Sequence, residues 1–315
     1  MAEIITTGLI ILITLLVITL LVCTYIYFFA FRSPRRPVNP PYVLPMGKVY
    51  EPYHSQIQKG ADEMVIRPCE EITISAYDGL KLSARYYHTN DNAPIHIQMH
   101  GYKGSPFVDF CGGSKLGGNL GHNVLVVDQR AHGKSSGHTI TFGIKERRDC
   151  LSWITYCNER FGDNIPIFLW GISMGAATVL MATDLELPEN VVGILADCPY
   201  SSPKDIIQKV CKDLHLPAVL LYPFVKLSAF LFGSFSLDES SAVSAIKQTN
   251  IPILLFHGEG DDFVPCEMSR QIKAAHPEII TLETVPDAGH GLCYMVASKR
   301  YEQLVSEFII SRLQA

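Results

Sequence analysis

The sequence predicts an α/β domain with a mostly parallel central sheet flanked by helices, preceded by one N-terminal transmembrane helix. Two observations predict this arrangement. Through the body of the chain, short apolar runs alternate with helical stretches, which is the pattern of parallel strands covered by helices on both faces. Before this body, residues 4–31 carry no charged side chain, and about 20 apolar residues suffice for a helix to cross a bilayer.

The uncharged stretch, residues 4–31, is interpreted as a retained membrane anchor. A cleaved signal peptide would need a basic start and an apolar core of about 7–15 residues, whereas only Glu3 precedes this longer run. Aromatic residues gather at its C-terminal end, as they do at membrane interfaces. They are Tyr25, Tyr27, Phe28 and Phe29.

The charge distribution predicts which side of the membrane the domain occupies. Arg32, Arg35 and Arg36 follow the stretch and no Lys or Arg precedes it, so the positive-inside bias predicts a cytoplasmic domain. The nine cysteines point the same way, because their number is odd and none form a C-x-x-C pair. We therefore expect buried thiols in a reducing compartment rather than disulfides or a zinc site.

Composition divides the rest of the chain into two parts. Residues 32–53 are rich in proline and are expected to form a semi-rigid spacer between the membrane and the domain. The α/β domain is assigned to residues 54–315. The whole chain has a formal net charge of −5 and no Lys/Arg-rich run, so nucleic acid is not an expected partner.

Apolar periodicity places the elements of the domain. A hairpin is predicted around Asp78-Gly79, a strong two-residue turn signal. Further strands are predicted at 95–100, 123–128, 165–170, 191–197, 251–257 and 279–285. Helices are predicted near 54–64, 143–161, 174–184, 266–275 and 294–313. Between about 200 and 248 no sheet strand is evident, and this apolar insertion is interpreted as a lid, with an extra packed helix pair as the alternative.

One serine lies where a strand becomes a helix. Ser173, in Gly-Ile-Ser-Met-Gly, follows the predicted strand directly, and Ala176 and Ala177 open a helix after it. A nucleophile elbow needs this strand–turn–helix context, with small residues on either side so that strand and helix can approach. Ser135 lies in a second Gly-x-Ser-x-Gly match, but seven residues beyond its strand. Ser173 is therefore the predicted nucleophile.

A serine nucleophile needs a base and a group that orients the base. Asp261 follows the predicted strand 251–257, and His290 lies between two glycines after the strand 279–285. This gives the chain order Ser, Asp, His of an elbow-type hydrolase. Three other acids are alternatives to Asp261, and Asp197, at the end of the predicted strand 191–197, is the more serious rival. They are Asp197, Glu259 and Asp262.

Three further histidines lie near the strand ends and are alternatives to His290. His100 and His257 end strands but sit in His-Gly turns, where a structural role is expected, and His132 belongs to the loop that carries Ser135. The oxyanion needs two backbone N–H donors. Met174, directly after the nucleophile, is the first, and Tyr102, in the loop after the strand 95–100, is the second.

At these residues the chain resembles the α/β-hydrolase family. The resemblance covers about residues 65–313 and rests on six segments in the family's order, which are "MHGYKGSP", "VVDQRAHGKSSG", "WGISMGAA", "ILADCPYSS", "HGEGDDFVP" and "DAGHG". It is closest to a bacterial membrane-anchored branch related to serine aminopeptidase-like and acyl-ester hydrolases. The motif D-x-R-x-x-G-x-S-x-G is a landmark of the family, which implies a structural role for Ser135.

The resemblance and the residues together imply a membrane-anchored serine hydrolase. We expect it to cleave an ester or thioester with an apolar acyl group, such as a lipid-like substrate, without a metal or another cofactor. A serine peptidase acting on small peptides is the alternative within the enzymes. A non-catalytic binding module is the alternative outside them, since this fold hosts both kinds of protein. The oligomeric state is left open.

Overall fold

The computed structural model describes residues 1–33 and 41–314, and within them an eight-stranded sheet is the central layer. The strands are β1 (Glu70–Ser75), β2 (Lys81–Tyr87), β3 (Ile95–Met99), β4 (Asn123–Asp128), β5 (Ile167–Ile172), β6 (Val191–Asp197), β7 (Ile253–Gly258) and β8 (Ile280–Val285). Their spatial order is β1-β2-β4-β3-β5-β6-β7-β8. Each predicted strand has a counterpart within two residues at either end.

The sheet is antiparallel at one edge and parallel elsewhere. β1 and β2 form the hairpin predicted around Asp78-Gly79, and β2 also pairs antiparallel with β4. All remaining neighbours are parallel. Because the carboxyl ends of parallel strands meet at one edge, the loops after β3, β5, β6, β7 and β8 are brought together there.

Helices cover both faces of the sheet. They are α1 (Ala2–Ile26), α2 (His54–Ile66), α3 (Pro106–Asp109), α4 (Gly113–Asn119), α5 (Glu146–Phe161), α6 (Met174–Met181), α7 (Pro203–Asp213), α8 (Ala218–Gly233), α9 (Ala242–Ala245), α10 (Cys266–Ala275), α11 (Cys293–Val296) and α12 (Ser298–Leu313). The helix predicted over 294–313 is thus two helices. On one face the core includes Trp153 and Leu169, and on the other it includes Trp170 and Tyr301.

The N-terminal helix is long and apolar enough to cross a membrane. α1 continues through a π-helical turn (Tyr27–Phe31) to give a helix of 30 residues, and an 18-residue window within it has a mean hydropathy of 2.9. Its C-terminal part packs on α8, where Ser228 Oγ donates to the carbonyl oxygen of Cys23 at 2.7 Å. Cys23 is the buried residue of α1. The helix is therefore attached to the domain along its last turns.

The segment predicted to be a spacer lies against the domain over its described part. Residues 34–40 of it lie outside the described residues. Beyond them, the Tyr42 hydroxyl donates to Asp62 Oδ1 at 2.5 Å, and the Tyr50 hydroxyl donates to the carbonyl oxygen of His290 at 3.0 Å. Proline content predicts a stiff backbone but does not say which surface that backbone contacts.

The insertion at 200–248 contains the helices α7, α8 and α9 and no strand. α7 and α8 pack against each other, and α8 is apolar through most of its length although several of its large side chains are exposed. These exposed residues are Val219, Leu220, Leu227, Phe230, Leu231 and Phe232. The lid role of this insertion stays a prediction.

Candidate active site

Ser173 occupies a strained turn between β5 and α6. Its backbone has φ +55° and ψ −117°, a conformation that non-glycine residues rarely adopt and that concentrates at functional sites. Two glycines allow the close approach that this turn requires. A Cβ at Gly171 would collide with the carbonyl of Gly175, and one at Gly175 would collide with the carbonyl oxygen of Met99. The local sequence therefore holds the serine at the carboxyl edge of the sheet.

The three side chains predicted as a triad lie in one hydrogen-bonded chain. Nε2 of His290 is 2.9 Å from Oγ of Ser173, and Nδ1 of His290 is 2.7 Å from Oδ2 of Asp261. With the ring proton on Nδ1, His290 donates to the carboxylate and accepts from the serine hydroxyl. Residues separated by 117 and 29 positions are thus brought together by the ends of β5, β7 and β8.

The Asp261 carboxylate has a hydrogen bond on each oxygen. Oδ1 accepts the amide hydrogens of Phe263 at 3.0 Å and Val264 at 2.8 Å, while Oδ2 faces His290. Burial by itself raises the pKa of Asp261, but hydrogen bonds from His257, His290 and the Val264 amide outweigh it and hold the pKa well below its usual value. The group is therefore a permanent anion near neutral pH.

His257 is a neighbour of the acid whose contact with it was not predicted. Its Nε2 lies 3.5 Å from Oδ2 of Asp261 and 2.8 Å from the carbonyl oxygen of Val264, and its Nδ1 lies 2.6 Å from Ser269 Oγ. The ring is completely buried. The structural role expected of His257 thus includes a contact with the Asp261 carboxylate. The sequence offered one signal for this contact, which is the position of His257 four residues before Asp261.

The loop after β3 brings the predicted oxyanion donor to the serine. A Cβ at Gly101 would lie 3.3 Å from Cβ of Ser173, so the loop backbone passes directly beside the nucleophile. The amide of Gly101 donates to Asp109 Oδ2 at 2.6 Å, and the amide of Lys103 donates to His132 Nε2 at 3.0 Å. Between them, the Tyr102 amide has no such bond to the described residues.

The other predicted oxyanion donor is the amide of Met174. As the first residue of α6, Met174 has an N–H group without an acceptor inside the helix. The positive end of the helix dipole adds to its attraction for an anion. The amides of Tyr102 and Met174 therefore both lie at the same edge of the sheet as Ser173. Tyr102 belongs to the loop after β3, and Met174 directly follows Ser173 in the chain.

Asp109 is a further acidic group that the sequence did not single out. Burial raises the pKa of Asp109 to about 6, against the effect of the hydrogen bond from the Gly101 amide. Through that bond Asp109 holds the loop after β3, residues 100–105, which we call the oxyanion loop. The sequence signal was weak, because an aspartate eight residues after a loop glycine has no fixed meaning.

The rival residues take other positions. Ser135 Oγ accepts from the Ser83 amide at 2.8 Å and donates to the carbonyl oxygen of Asp128, which is a structural arrangement. Asp197 is buried at the end of β6, and burial raises its pKa to about 6. Asp262 is exposed. Glu259 accepts from Thr284 Oγ1 at 2.8 Å on the surface.

The other two histidines that the sequence singled out, His100 and His132, form hydrogen bonds with backbone groups. Nδ1 of His100 lies 2.8 Å from the carbonyl oxygen of Gly101, and its Nε2 accepts from the Gln129 amide at 3.2 Å. Nδ1 of His132 lies 2.9 Å from the carbonyl oxygen of Arg130, and its Nε2 accepts the Lys103 amide. Both rings therefore connect the oxyanion loop to the loop after β4.

Comparisons with known proteins bear on the family and the fold. The Hydrolase_4 family model, described as serine aminopeptidase, S33, matches residues 118–236. In a solved structure, the esterase Pf2001 of Pyrococcus furiosus has a similar fold, with a TM-score of 0.63 at 21% identity over 89% of this chain and 99% of that one. These matches support the predicted α/β-hydrolase family, and the likeness to the solved structure shows that the chain has the α/β-hydrolase fold. The predicted fold class is confirmed.

Curated relatives match the chain over part of their own length. The uncharacterized protein YqkD of Bacillus subtilis is 26% identical over 192 residues, which is 61% of this chain and 63% of that protein. The lysophosphatidylserine lipase ABHD12 of Rattus norvegicus is 26% identical over 243 residues, or 69% of this chain and 56% of that protein. The match thus spans less than two thirds of either relative.

A cavity of about 420 Å³ opens beside Ser173. Its lining includes Tyr102 and His290 together with a group of apolar and aromatic side chains. The volume lies within the range of small-molecule sites. The apolar and aromatic residues include Val108, Phe110, Trp170, Ile172, Leu292 and Tyr294. Part of the cavity wall comes from the segment at 41–50, and none of the described lining residues belongs to the insertion at 200–248.

One group of side chains has the donor atoms of a metal site. A ligand atom from each of Cys198, Asp261 and His290 lies within 4.8 Å of the others. The latter two atoms are already hydrogen-bonded to each other. Burial raises the pKa of the Cys198 thiol well above its usual value, and a metal binds the deprotonated thiolate. The group is therefore better described as an acid–base pair beside a neutral thiol.

Proposed function

We propose that this protein is a membrane-anchored serine hydrolase that cleaves an ester or thioester with an apolar acyl group. The observation that carries the proposal is the hydrogen-bonded chain from Ser173 through His290 to Asp261. A serine hydroxyl becomes nucleophilic when a base accepts its proton and a third group orients the base. The strained backbone of Ser173 supports the same assignment.

In the first half of the proposed reaction, Ser173 Oγ attacks the substrate carbonyl carbon. The hydroxyl proton passes to Nε2 of His290, and the carbonyl electron pair moves onto oxygen. The resulting oxyanion accepts hydrogen bonds from the amides of Tyr102 and Met174. The Asp261 carboxylate stabilises the imidazolium without taking its proton. When the tetrahedral intermediate collapses, His290 protonates the departing alcohol or thiol.

In the second half, water hydrolyses the acyl-enzyme. His290 accepts a proton from the water as its oxygen attacks the acyl carbon, and the same two amides hold the second oxyanion. The bond to Ser173 Oγ then breaks, and His290 returns the proton to that oxygen. The products are a carboxylic acid and the free enzyme, so the cycle needs only this chain and water.

The substrate proposed is an amphiphile with an apolar acyl chain. The apolar cavity beside Ser173 suits such a chain, and the N-terminal helix would hold the domain next to the bilayer that contains it. The names of two similar proteins, a lysophosphatidylserine lipase and an esterase, support a carboxylic-ester hydrolase. We also propose the cytoplasmic side for the domain, from the arginines that follow the helix.

The first test is covalent labelling of the full-length protein in detergent micelles with a fluorophosphonate. Two serine variants are compared, Ser173→Ala and Ser135→Ala. Labelling of the wild type and of Ser135→Ala, with none of Ser173→Ala, is the expected result, because Ser135 Oγ is engaged with backbone groups. Labelling that persists in Ser173→Ala moves the nucleophile elsewhere. An unlabelled, folded wild type contradicts the proposal and favours a binding module.

The second test separates esterase from peptidase. A series of p-nitrophenyl esters from acetate to dodecanoate is compared with aminoacyl p-nitroanilides, both with the wild type and with Ser173→Ala. We expect hydrolysis of the esters to exceed that of the anilides and to rise with acyl length until the cavity is filled. Preferred hydrolysis of the anilides would favour the peptidase that the family description suggests.

A further inference from the structure

The last carbonyl groups of the N-terminal helix are bonded by the catalytic domain. The final carbonyls of any helix have no partner within it and need other donors. Here Lys103 Nζ donates to the carbonyl oxygen of Phe29 at 3.0 Å, the Tyr102 hydroxyl donates to that of Ala30 at 2.7 Å, and the Ile140 amide donates to that of Phe31 at 2.7 Å. Two of these three donors belong to the oxyanion loop.

Aromatic side chains also connect the end of the helix to the oxyanion loop. The Phe31 ring is completely buried and meets Phe142 edge to face, with ring centres 5.7 Å apart. The Phe142 ring lies 5.2 Å from that of Tyr102. Phe31 belongs to the same apolar cluster as Met174, which carries the other proposed oxyanion donor. The end of the helix is thus continuous with the core around both amides.

The oxyanion loop reaches the helix through the side chains of Tyr102 and Lys103. The backbone on either side of Tyr102 is held by the domain itself, through the bonds from Gly101 to Asp109 and from Lys103 to His132. Beyond the helix, Arg32 forms an antiparallel bridge with Thr139, and the Ser33 amide donates to the carbonyl of His138 at 2.9 Å. Ser33 also lines the cavity.

We propose that the C-terminal end of the N-terminal helix, Phe29–Phe31, is a positioning element of the active site that holds the oxyanion loop through the side chains of Tyr102 and Lys103. This inference rests on the proposed function. An oxyanion donor must lie within about 2.7–3.1 Å of the developing charge, and a displacement of about 1 Å can cost 100-fold in rate. The helix therefore contributes to catalysis as well as to the attachment of the domain to the membrane.

The test uses two matched variants of the full-length protein in detergent micelles. Tyr102→Phe removes the hydroxyl that bonds Ala30 but keeps the ring and the backbone amide. Tyr27→Phe removes a hydroxyl bond of the same kind, to Thr139 Oγ1 at 2.6 Å, between the helix and the domain but away from the oxyanion loop. The probes are p-nitrophenyl butyrate hydrolysis and hydrogen–deuterium exchange of residues 101–104.

For Tyr102→Phe we expect kcat to fall about 10-fold with KM within about twofold, as for an interaction realised in the transition state. Exchange in residues 101–104 should rise, while Tyr27→Phe keeps the wild-type kcat and exchange. The inference is overturned if Tyr102→Phe behaves as the wild type, or if both variants lose activity equally. A wild type without esterase activity and without Ser173 labelling refutes the proposed function, and exchange then still decides the positioning role.

Discussion

Oδ2 of Asp261 lies 2.7 Å from Nδ1 of His290, and the other carboxylate oxygen is fully engaged by two backbone amides. The position of the acid is therefore determined by its own loop, and the imidazole is aligned against a fixed acceptor. In the proposed mechanism, an acid held in this way keeps His290 in the tautomer that can accept a proton from Ser173. This relationship makes Asp261 the residue whose replacement is most informative.

Asp261→Asn is expected to lower kcat by about 10³- to 10⁴-fold. The amide keeps the size of the side chain but removes the negative charge, and it can present an N–H to His290 and favour the wrong tautomer. Steady-state hydrolysis of p-nitrophenyl butyrate measures the change. The adjacent Asp262→Asn is the control, since Asp262 is exposed, and we expect it to keep wild-type activity. Equal losses in both variants would contradict the assignment.

Asp197→Asn is expected to stabilise the fold at neutral pH. Oδ1 of Asp197 is buried without a hydrogen-bond partner among the described residues, and burial raises its pKa to about 6. A carboxyl with a raised pKa holds its proton more tightly in the folded state, so its contribution to stability falls as the pH rises from about 4 to about 6. Above pH 6 the ionised group destabilises the fold.

The neutral Asn side chain should remove this pH dependence. We expect the variant and the wild type to have similar unfolding free energies near pH 4, and the variant to be more stable by about 2 kcal/mol at pH 7. Chemical denaturation in micelles at the two values measures the difference. The same variant tests the rival acid, because labelling of Ser173 should survive. If Asp197→Asn loses labelling of Ser173 and Asp261→Asn retains it, then Asp197 rather than Asp261 is the acid that orients His290.

The positions of Ser173, Asp261 and His290 could be predicted because each follows a strand of the parallel part of the sheet. A strand-length apolar run is visible in a sequence, and the carboxyl ends of parallel strands converge. Placing three chemically suitable side chains at three such ends therefore also places them near one another. Their catalytic roles stay predictions until the variants are measured.

Contacts between distant segments could not be predicted in the same way. Tyr50 lies 240 positions before His290, yet its hydroxyl bonds the His290 carbonyl. Tyr102 bonds Ala30, across 72 positions. Periodicity reports whether a residue faces the core or the solvent, but neither a proline-rich stretch nor the end of an apolar helix carries a signal for the surface it meets.

Gly175→Ala is expected to destabilise the domain severely. A Cβ at this position would collide with the carbonyl oxygen of Met99, a backbone atom in β3 that cannot move without distorting the sheet. We expect a loss of at least about 3 kcal/mol in unfolding free energy, or no folded protein. Thermal unfolding and the yield of folded protein in micelles measure the effect.

The control is a glycine in open space. Gly79 has φ +81° in the β1–β2 turn, and a Cβ there meets nothing within 4 Å. Gly79→Ala should therefore cost about 1 kcal/mol from backbone strain alone. If both variants lose a similar amount of unfolding free energy, the close packing of β5, α6 and β3 is not the reason that position 175 needs glycine. The reason would then be the conformational freedom of the glycine backbone.

Labelling of one cysteine can test the proposed cytoplasmic location of the domain. All nine cysteines are among the described residues, and Cys69 is exposed whereas the other eight are buried. A membrane-impermeant maleimide applied at pH 8 to sealed vesicles of known orientation should therefore label the folded chain at Cys69 alone. We expect labelling in inside-out vesicles and none in right-side-out vesicles, because the arginines after the helix favour a cytoplasmic domain. Cys69→Ser should abolish the signal in both, and labelling confined to right-side-out vesicles would reverse the orientation.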